Sequence, residues 1–386
     1  MKRVYLDHNA TTPLDPRVFE AMQKAFLTAF GNASSVHSFG REARSLLEES
    51  RDSIARFIGA RSDEVFFTSG GTESNNHALL GVADVAASQG KTHIIVSAVE
   101  HHAVLHPAQA LRRRGFEVEI IPVDEYGLVD PDDVRKALTA KTCLISIMHA
   151  NNEVGTIEPI REIASIARNH GVLFHTDAVQ SAGKIPVNVD ALGVDLLTLS
   201  AHKLYGPKGI GILYIRKGTK IESLLKGGGQ ESNRRAGTQN VPLAVGLAAA
   251  VELCASRMTE DATRFAELKQ YLKNRLELPG VLFNGHPTES LPNVLSISFD
   301  SRVHDLDGDA LIAGMDLRGV AVTSGSACTS GSLEPSHVLL AMGRDEKTAR
   351  ATIRFSMGRS TTKDDLDYAV EALQDVVQTM KKARVA

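Results

Sequence analysis

From about residue 60 onward, short runs of β-branched and aromatic residues alternate with stretches of helical length, and no other feature of the chain constrains its fold as much. The runs are EVFFTSG, THIIVSA, FEVEIIPV, TCLISIMHA, VLFHTDA and VDLLTLSAHK. Between them lie SNNHALLGVADVAAS, AVLHPAQALRRR, PDDVRKAL and PIREIASIARNHG, each amphipathic and each closing near a glycine or a polar breaker. Strands that alternate with helices form repeated βα crossovers. An α/β fold is therefore expected, its large domain a mostly parallel sheet flanked by helices. A pair of long helical stretches follows, VPLAVGLAAAVELCASRM and DATRFAELKQYLKNRLEL. Then come VLFNGH, NVLSISFD, a helix, VAVTSGSA and ATIRFSM, the pattern of a smaller α+β domain. No Pro/Gly/Ser linker marks a break, so the boundary is placed on the linking helix. Residues 15–254 form the large domain; residues 1–14 and 255–386 form the small one, with the N-terminal arm folding back onto it.

With 386 residues, 43% hydrophobic and 23% charged, the chain can bury a large core, and disorder, collagen-like repeats and a disulfide scaffold are poor readings. A formal charge of −3 provides no general field for nucleic acid, and Arg112, Arg113 and Arg114 read as a solvated helix end. Cys143, Cys254 and Cys328 lie far apart with no Cys-x-x-Cys pair, which fits a reducing compartment and argues against a zinc module. The start, MKRVYLDHNATTP, has no apolar h-region. The best apolar window, VPLAVGLAAAVELCA, reads as too short and Ala-rich to span a bilayer. A cytoplasmic protein without a membrane partner is expected.

In open α/β sheets, functional residues gather beyond the carboxyl ends of strands. After EVFFT comes Ser69-Gly70-Gly71-Thr72-Glu73-Ser74-Asn75, where two glycines allow close backbone approach and the helix start suits an anion. An ordinary turn with Thr72 as N-cap is the alternative. After THIIVSA comes Glu100-His101-His102, after TCLISIMHA comes Asn151-Asn152-Glu153, and after VLFH come Thr176-Asp177 and then Gln180. Asp177 could pair with a protonated ring nitrogen, and His101 could stack on a planar ligand or exchange protons with it. Each residue alone also suits a cap or a loop hydrogen bond. Next is Ser200-Ala201-His202-Lys203, which puts a lysine where a strand runs out, as a Schiff-base cofactor site requires. A surface lysine would look the same in isolation.

The second domain contributes the small-residue stretch Thr323–Ser332, which predicts a mobile loop bearing an exposed thiol, Cys328. Cys143, in an apolar run, and Cys254, on an Ala-rich helix, are explained by packing. Cys328 is the candidate nucleophile. Ile353-Arg354-Phe355 places an arginine in a strand built for burial, where it grips a carboxylate or forms a structural ion pair.

With these residues in view, the chain resembles the cysteine desulfurases of the NifS/IscS group, in the class V branch of fold-type I pyridoxal-phosphate enzymes. The resemblance spans YLDHNATTPLDP, FTSGGTESNN, EHHAV, NNEVG, HTDAVQSAGK, SAHKLYGPKGIG, RRAGTQN, SGSACTSGSLEPSHVL and IRFSMGR. It implies pyridoxal 5'-phosphate as cofactor, bound covalently by Lys203, with Asp177 on the pyridine nitrogen, Gln180 on the ring hydroxyl and His101 stacked on the ring. Gly71, Thr72, Ser200 and His202 would hold the phosphate, and Thr238 would reach the phosphate of the neighbouring subunit in a homodimer. Asn152 and Arg354 would bind the substrate carboxylate, with Asn152 also lying against the cofactor. Lys203, once freed, would act as base.

The implied activity turns L-cysteine into L-alanine and leaves the sulfur on Cys328 as a persulfide. An acceptor protein would collect it, such as an iron–sulfur scaffold whose nascent cluster Cys328 could contact. Selenocysteine lyase or an aminotransferase would share Lys203, Asp177 and His101 and differ at the loop cysteine. A metal-dependent hydrolase using His101, His102, His175 and Asp177 belongs to a different class; no HExxH or Cys/His cluster supports it, and no metal is expected. A non-catalytic regulatory subunit is disfavoured because every chemical position is filled.

Overall fold

The computed structural model describes residues 2–325 and 334–385. Its strands, in chain order, are β1 (Val4–Tyr5), β2 (Val65–Thr68), β3 (His93–Ser97), β4 (Glu117–Ile121), β5 (Thr142–Ser146), β6 (Leu173–Asp177), β7 (Leu196–Ser200), β8 (Gly211–Ile215), β9 (Val281–Asn284), β10 (Val294–Phe299), β11 (Val320–Ala321) and β12 (Thr352–Ser356). Seven of them form one sheet in the order β2-β8-β7-β6-β5-β3-β4. All neighbours in it are parallel except those of β8, which runs antiparallel to both β2 and β7.

Because helices cover both faces of this sheet, its inner strands are buried along their whole length and read as continuous apolar runs. The strand period still sorts them. Phe67, Ile95, Ile145 and Leu197 enter the apolar cluster on one face, while Phe66, Ile94, Leu144 and Leu196 enter that on the other. At the edge, β4 exposes Glu117 and Glu119, charges that discourage further pairing.

The two expected long helices are one. Val241–Arg275 is a continuous helix of 35 residues, because the joining residues, Thr259 and Glu260, include no glycine or proline to stop it. This also corrects the reading of its apolar window as too short, since by length and composition the helix could cross a membrane. In the fold it packs against helices Pro16–Thr28 and Ser38–Ile58, with Ala244, Leu247, Val251 and Cys254 in the main core.

The remainder gathers around a separate apolar cluster that includes Leu6, Phe265, Ile297, Met315, Ile353 and Leu373. Its strands are an antiparallel set, β12-β10-β9, and a short parallel pair in which β1 of the N-terminal arm joins β11. Thus the arm does fold back onto the C-terminal part. From there it passes the carboxyl end of β7, where Thr12 N donates to His202 O at 2.9 Å and Asp15 N to Tyr205 O at 3.0 Å.

Candidate active site

The parallel strands deliver their polar endings to one edge of the sheet. Beyond β2, Gly70 adopts φ +149°, a conformation that favours glycine, and starts the helix Gly71–Ala87. Gly70, not Thr72, occupies the N-cap position. No side chain caps this helix, so its first amides can serve a ligand.

Past β3, His101 caps the helix His102–Arg113, its Nδ1 accepting from Ala103 N at 3.0 Å. That bond puts the proton of the neutral ring on Nε2, and burial keeps the ring neutral by lowering its pKa below the usual histidine range. Asp177 ends β6, almost fully buried. Its Oδ2 accepts from Asn75 Nδ2 at 2.6 Å and its Oδ1 from Val179 N at 2.9 Å. No Lys or Arg among the described residues pairs with this carboxylate within 4.0 Å.

Ser200 ends β7, and the 3-10 turn Ala201–Lys203 follows it directly. Lys203 Nζ donates to Ala10 O at 2.8 Å and to Asn9 O. Two residues later Tyr205 holds φ +61°, a strained value for a bulky residue. The Arg359 guanidinium lies 4.2 Å from its ring centroid, and Arg359 N donates to its hydroxyl at 2.9 Å. These contacts tie the lysine's turn to the small part. His202 is held neutral at about 4, by burial first and then by the charge of Lys203, with Nδ1 3.2 Å from Thr11 Oγ1.

From the small part, Arg354 on β12 is 2% exposed. It makes the structural ion pair, NH2 to Asp7 Oδ1 at 2.8 Å, and its NH1 donates to Asn152 O at 2.8 Å. Its Nε is buried with no partner among the described residues. The structure thus shows the ion pair, and it also brings Arg354 to the wall of the cavity.

One cavity of about 310 Å³ collects Gly71, Thr72, His101, Asn152, Asp177, Gln180, Ser200, His202, Lys203 and Arg354. Of the residues singled out from the sequence, Thr238 is exposed and does not line it, and Cys328 lies outside the described residues. Gly325, the last described residue before Cys328, does line it. His175 turns away, its ring nitrogens 2.8 Å from Ser146 Oγ and 3.1 Å from Thr198 Oγ1. Among the described residues no three His, Cys, Asp or Glu side chains form a metal-binding group, so the hydrolase reading finds no ligand set.

Asn9, Asn75 and Met148 also line the cavity, and sequence reasoning gave them no role. Asn9 is the most connected. Its carbonyl accepts from Gln180 Nε2 at 2.9 Å as well as from Lys203, its Nδ2 donates to Asn152 O at 3.1 Å, and its Oδ1 accepts from Asn293 Nδ2 at 3.0 Å. The only signal for it was its place in the quoted motif LDHNATTP.

Residues 4–369 match the family model "Aminotransferase class-V". The chain belongs to the aminotransferase class-V family. Within it, the chain is 53% identical to cysteine desulfurase IscS of Dictyoglomus turgidum, over 99% of this chain and 96% of that one. A solved NifS-like protein superposes with a TM-score of 0.91 at 39% identity, covering 98% of this chain and 100% of the other. SspA, solved in complex with cysteine, gives 0.82 at 36% identity, covering 92% and 98%.

This class-V enzyme is thus a pyridoxal-phosphate-dependent member of the cysteine desulfurase group, and the cavity's chemistry suits that cofactor. A buried carboxylate with no Lys or Arg partner among the described residues matches a protonated pyridine ring. An uncapped helix start opposite Ser200 and His202 matches a phosphate. An amine at the strand end matches an aldehyde.

Proposed function

We propose that this chain removes sulfur from L-cysteine, releasing L-alanine, and that Cys328 takes the sulfur as a persulfide for an acceptor protein. One observation carries the reading: Lys203, the buried Asp177 carboxylate and Arg354 line a single cavity, one wall of which is Gly325. Cys328 follows Gly325 by three positions in the sequence. The SspA structure with cysteine supports cysteine as the substrate.

When bound, pyridoxal phosphate supplies an aldehyde that condenses with amines and a ring that withdraws electrons from the substrate Cα. The other roles belong to the chain. Lys203 would hold the cofactor covalently, and its amine, when free, would be the base for the Cα proton. Asp177, aimed by Asn75, would keep the ring nitrogen protonated, and Gln180 would donate to the ring hydroxyl. His101 would stack on the ring, and with Nδ1 engaged by Ala103 N its Nε2 would exchange protons. Gly71, Thr72, Ser200 and His202 would hold the phosphate. Arg354, oriented by Asp7 and seconded by Asn152, holds the substrate carboxylate, so that the substrate sulfur can meet the Cys328 thiolate.

Thr238 would serve the partner subunit of a homodimer. Supporting this, Phe19, Phe26, Leu27 and Phe39 on the first two helices and Phe30 in the segment between them are large apolar side chains exposed to water. Division into residues 15–254 and residues 1–14 with 255–386, a cytoplasmic site of action and an iron–sulfur scaffold as acceptor complete the reading. Purified holoenzyme given cysteine and a thiol reductant should release alanine and sulfide in equal amounts. Absence of alanine, or persulfide found on Cys143 or Cys254 instead of Cys328, would refute it.

A further inference from the structure

Lys184 lies seven residues beyond Asp177, buried at 7% exposure. Its Nζ donates to Gln180 O at 2.7 Å and to Gln180 Oε1 at 3.4 Å. The charged or titratable groups around it are Lys203, Arg354 and the Cys254 thiol, with His8 and His202 also within its field. None is a carboxylate. Buried lysines are ordinarily paired with an acid, and burial followed by the nearby Lys203 lowers this one to about 7. Packing alone does not call for an amine at this position.

Its consequence falls on Gln180. Nζ donates to the amide oxygen of Gln180, and as an ammonium it can only donate, so it draws that oxygen toward itself. A backbone carbonyl can only accept, and Asn9 O takes the amide NH2 from the other side at 2.9 Å. The flipped amide would set oxygen against the Asn9 carbonyl and NH2 against the ammonium. Asn9 O is shared with Lys203 Nζ, so the Gln180 amide lies one acceptor away from the cofactor-binding amine. The second N–H of the amide is the donor left for the cavity that Gln180 lines.

We propose that Lys184 is a positioning residue that locks the Gln180 amide with its donor toward the cavity, and so sets the hydrogen bond offered to the ring hydroxyl of the cofactor. This rests on the reading that Gln180 meets that hydroxyl. The test is a pH titration of the visible absorbance of the holoenzyme, for the wild type, Lys184→Met, Gln180→Leu and the double variant. Gln180→Leu should move the midpoint by about half a pH unit or more. Lys184→Met should move it in the same direction, yet add nothing in the Gln180→Leu background. An unmoved Lys184→Met midpoint, or equal shifts with and without the amide, overturns the proposal. An unmoved Gln180→Leu midpoint overturns the reading beneath it. Should Lys184→Met not fold, a crystal structure of the wild-type holoenzyme decides: Nζ within hydrogen-bond distance of Gln180 Oε1 supports the lock, and Nζ turned away from it refutes it.

Discussion

Asn75 and Asp177, 102 positions apart in sequence, meet through a 2.6 Å hydrogen bond at the floor of the cavity. The bond leaves Asn75 Oδ1 buried and without a partner among the described residues, so the amide serves the carboxylate. Asn75→Leu should loosen the aim of Asp177 and weaken pyridoxal-phosphate binding about tenfold, the worth of one buried charged hydrogen bond. Asp177→Leu should cost considerably more. Equilibrium titration of the apoprotein with cofactor reads both, and equal affinities in the wild type and Asn75→Leu would refute the role.

Lys203→Ala should fold normally and still take up pyridoxal phosphate, because the phosphate and ring contacts remain. It should lose the cofactor on dialysis, since the covalent link is gone. Mass spectrometry after borohydride reduction should find the cofactor on Lys203 in the wild type and on no lysine in the variant.

Cys328→Ala should bind cofactor and cysteine as the wild type does and release sulfide at least about a hundredfold more slowly, as expected for loss of a nucleophile. Sulfide release at the wild-type rate would shift the assignment to an activity that does not use the loop thiol.

Arg354 has two jobs that substitution can separate. Arg354→Lys should raise KM for cysteine about 10–100-fold by losing bidentate geometry at the carboxylate. Asp7→Asn breaks the 2.8 Å ion pair and should lower stability by about 1–3 kcal/mol with a smaller change in KM. Steady-state kinetics and thermal unfolding of the two variants together give the answer.

Glu100 is fully buried, its Oε1 accepting from Ser97 Oγ and Met148 N while Oε2 finds no partner among the described residues. Burial raises its pKa to about 8. The folded state thus keeps a proton that the unfolded chain loses near the ordinary glutamate value, so this group's contribution is full at low pH and is lost as pH rises toward 8. Glu100→Gln removes the ionisable proton. The melting temperature of Glu100→Gln relative to wild type should therefore be higher at pH 9 than at pH 6; a pH-independent difference would show that Glu100 does not titrate there.

Much of the fold was open to sequence reading because it depends on local pattern. The runs in β2, β3, β5 and β7 are largely apolar since both sheet faces are covered, and polar residues gather at or directly beyond the strand ends. The misjudged helix, Val241–Arg275, shows the limit. A gap of two ordinary residues looked like a break, yet helix propensity carries through wherever glycine and proline are absent. Asn75 stood in a quoted loop without a role because an amide in a turn has many uses, and its partner lies four strands away in the chain.

The sequence by itself determined that this is an α/β enzyme whose chemistry follows the ends of parallel strands, and that Lys203, Asp177, His101 and Cys328 differ from their neighbours in what they can do. Periodicity and strand-end position are local properties, readable without knowing which strand lies beside which. Only the tertiary structure decided how the N-terminal arm joins the site. Asn9 O meets Lys203 across 194 positions, and Asp7 meets Arg354 across 347. Such contacts depend on closing very long loops, whose cost is offset by packing over the whole molecule and leaves no mark in the residues nearby.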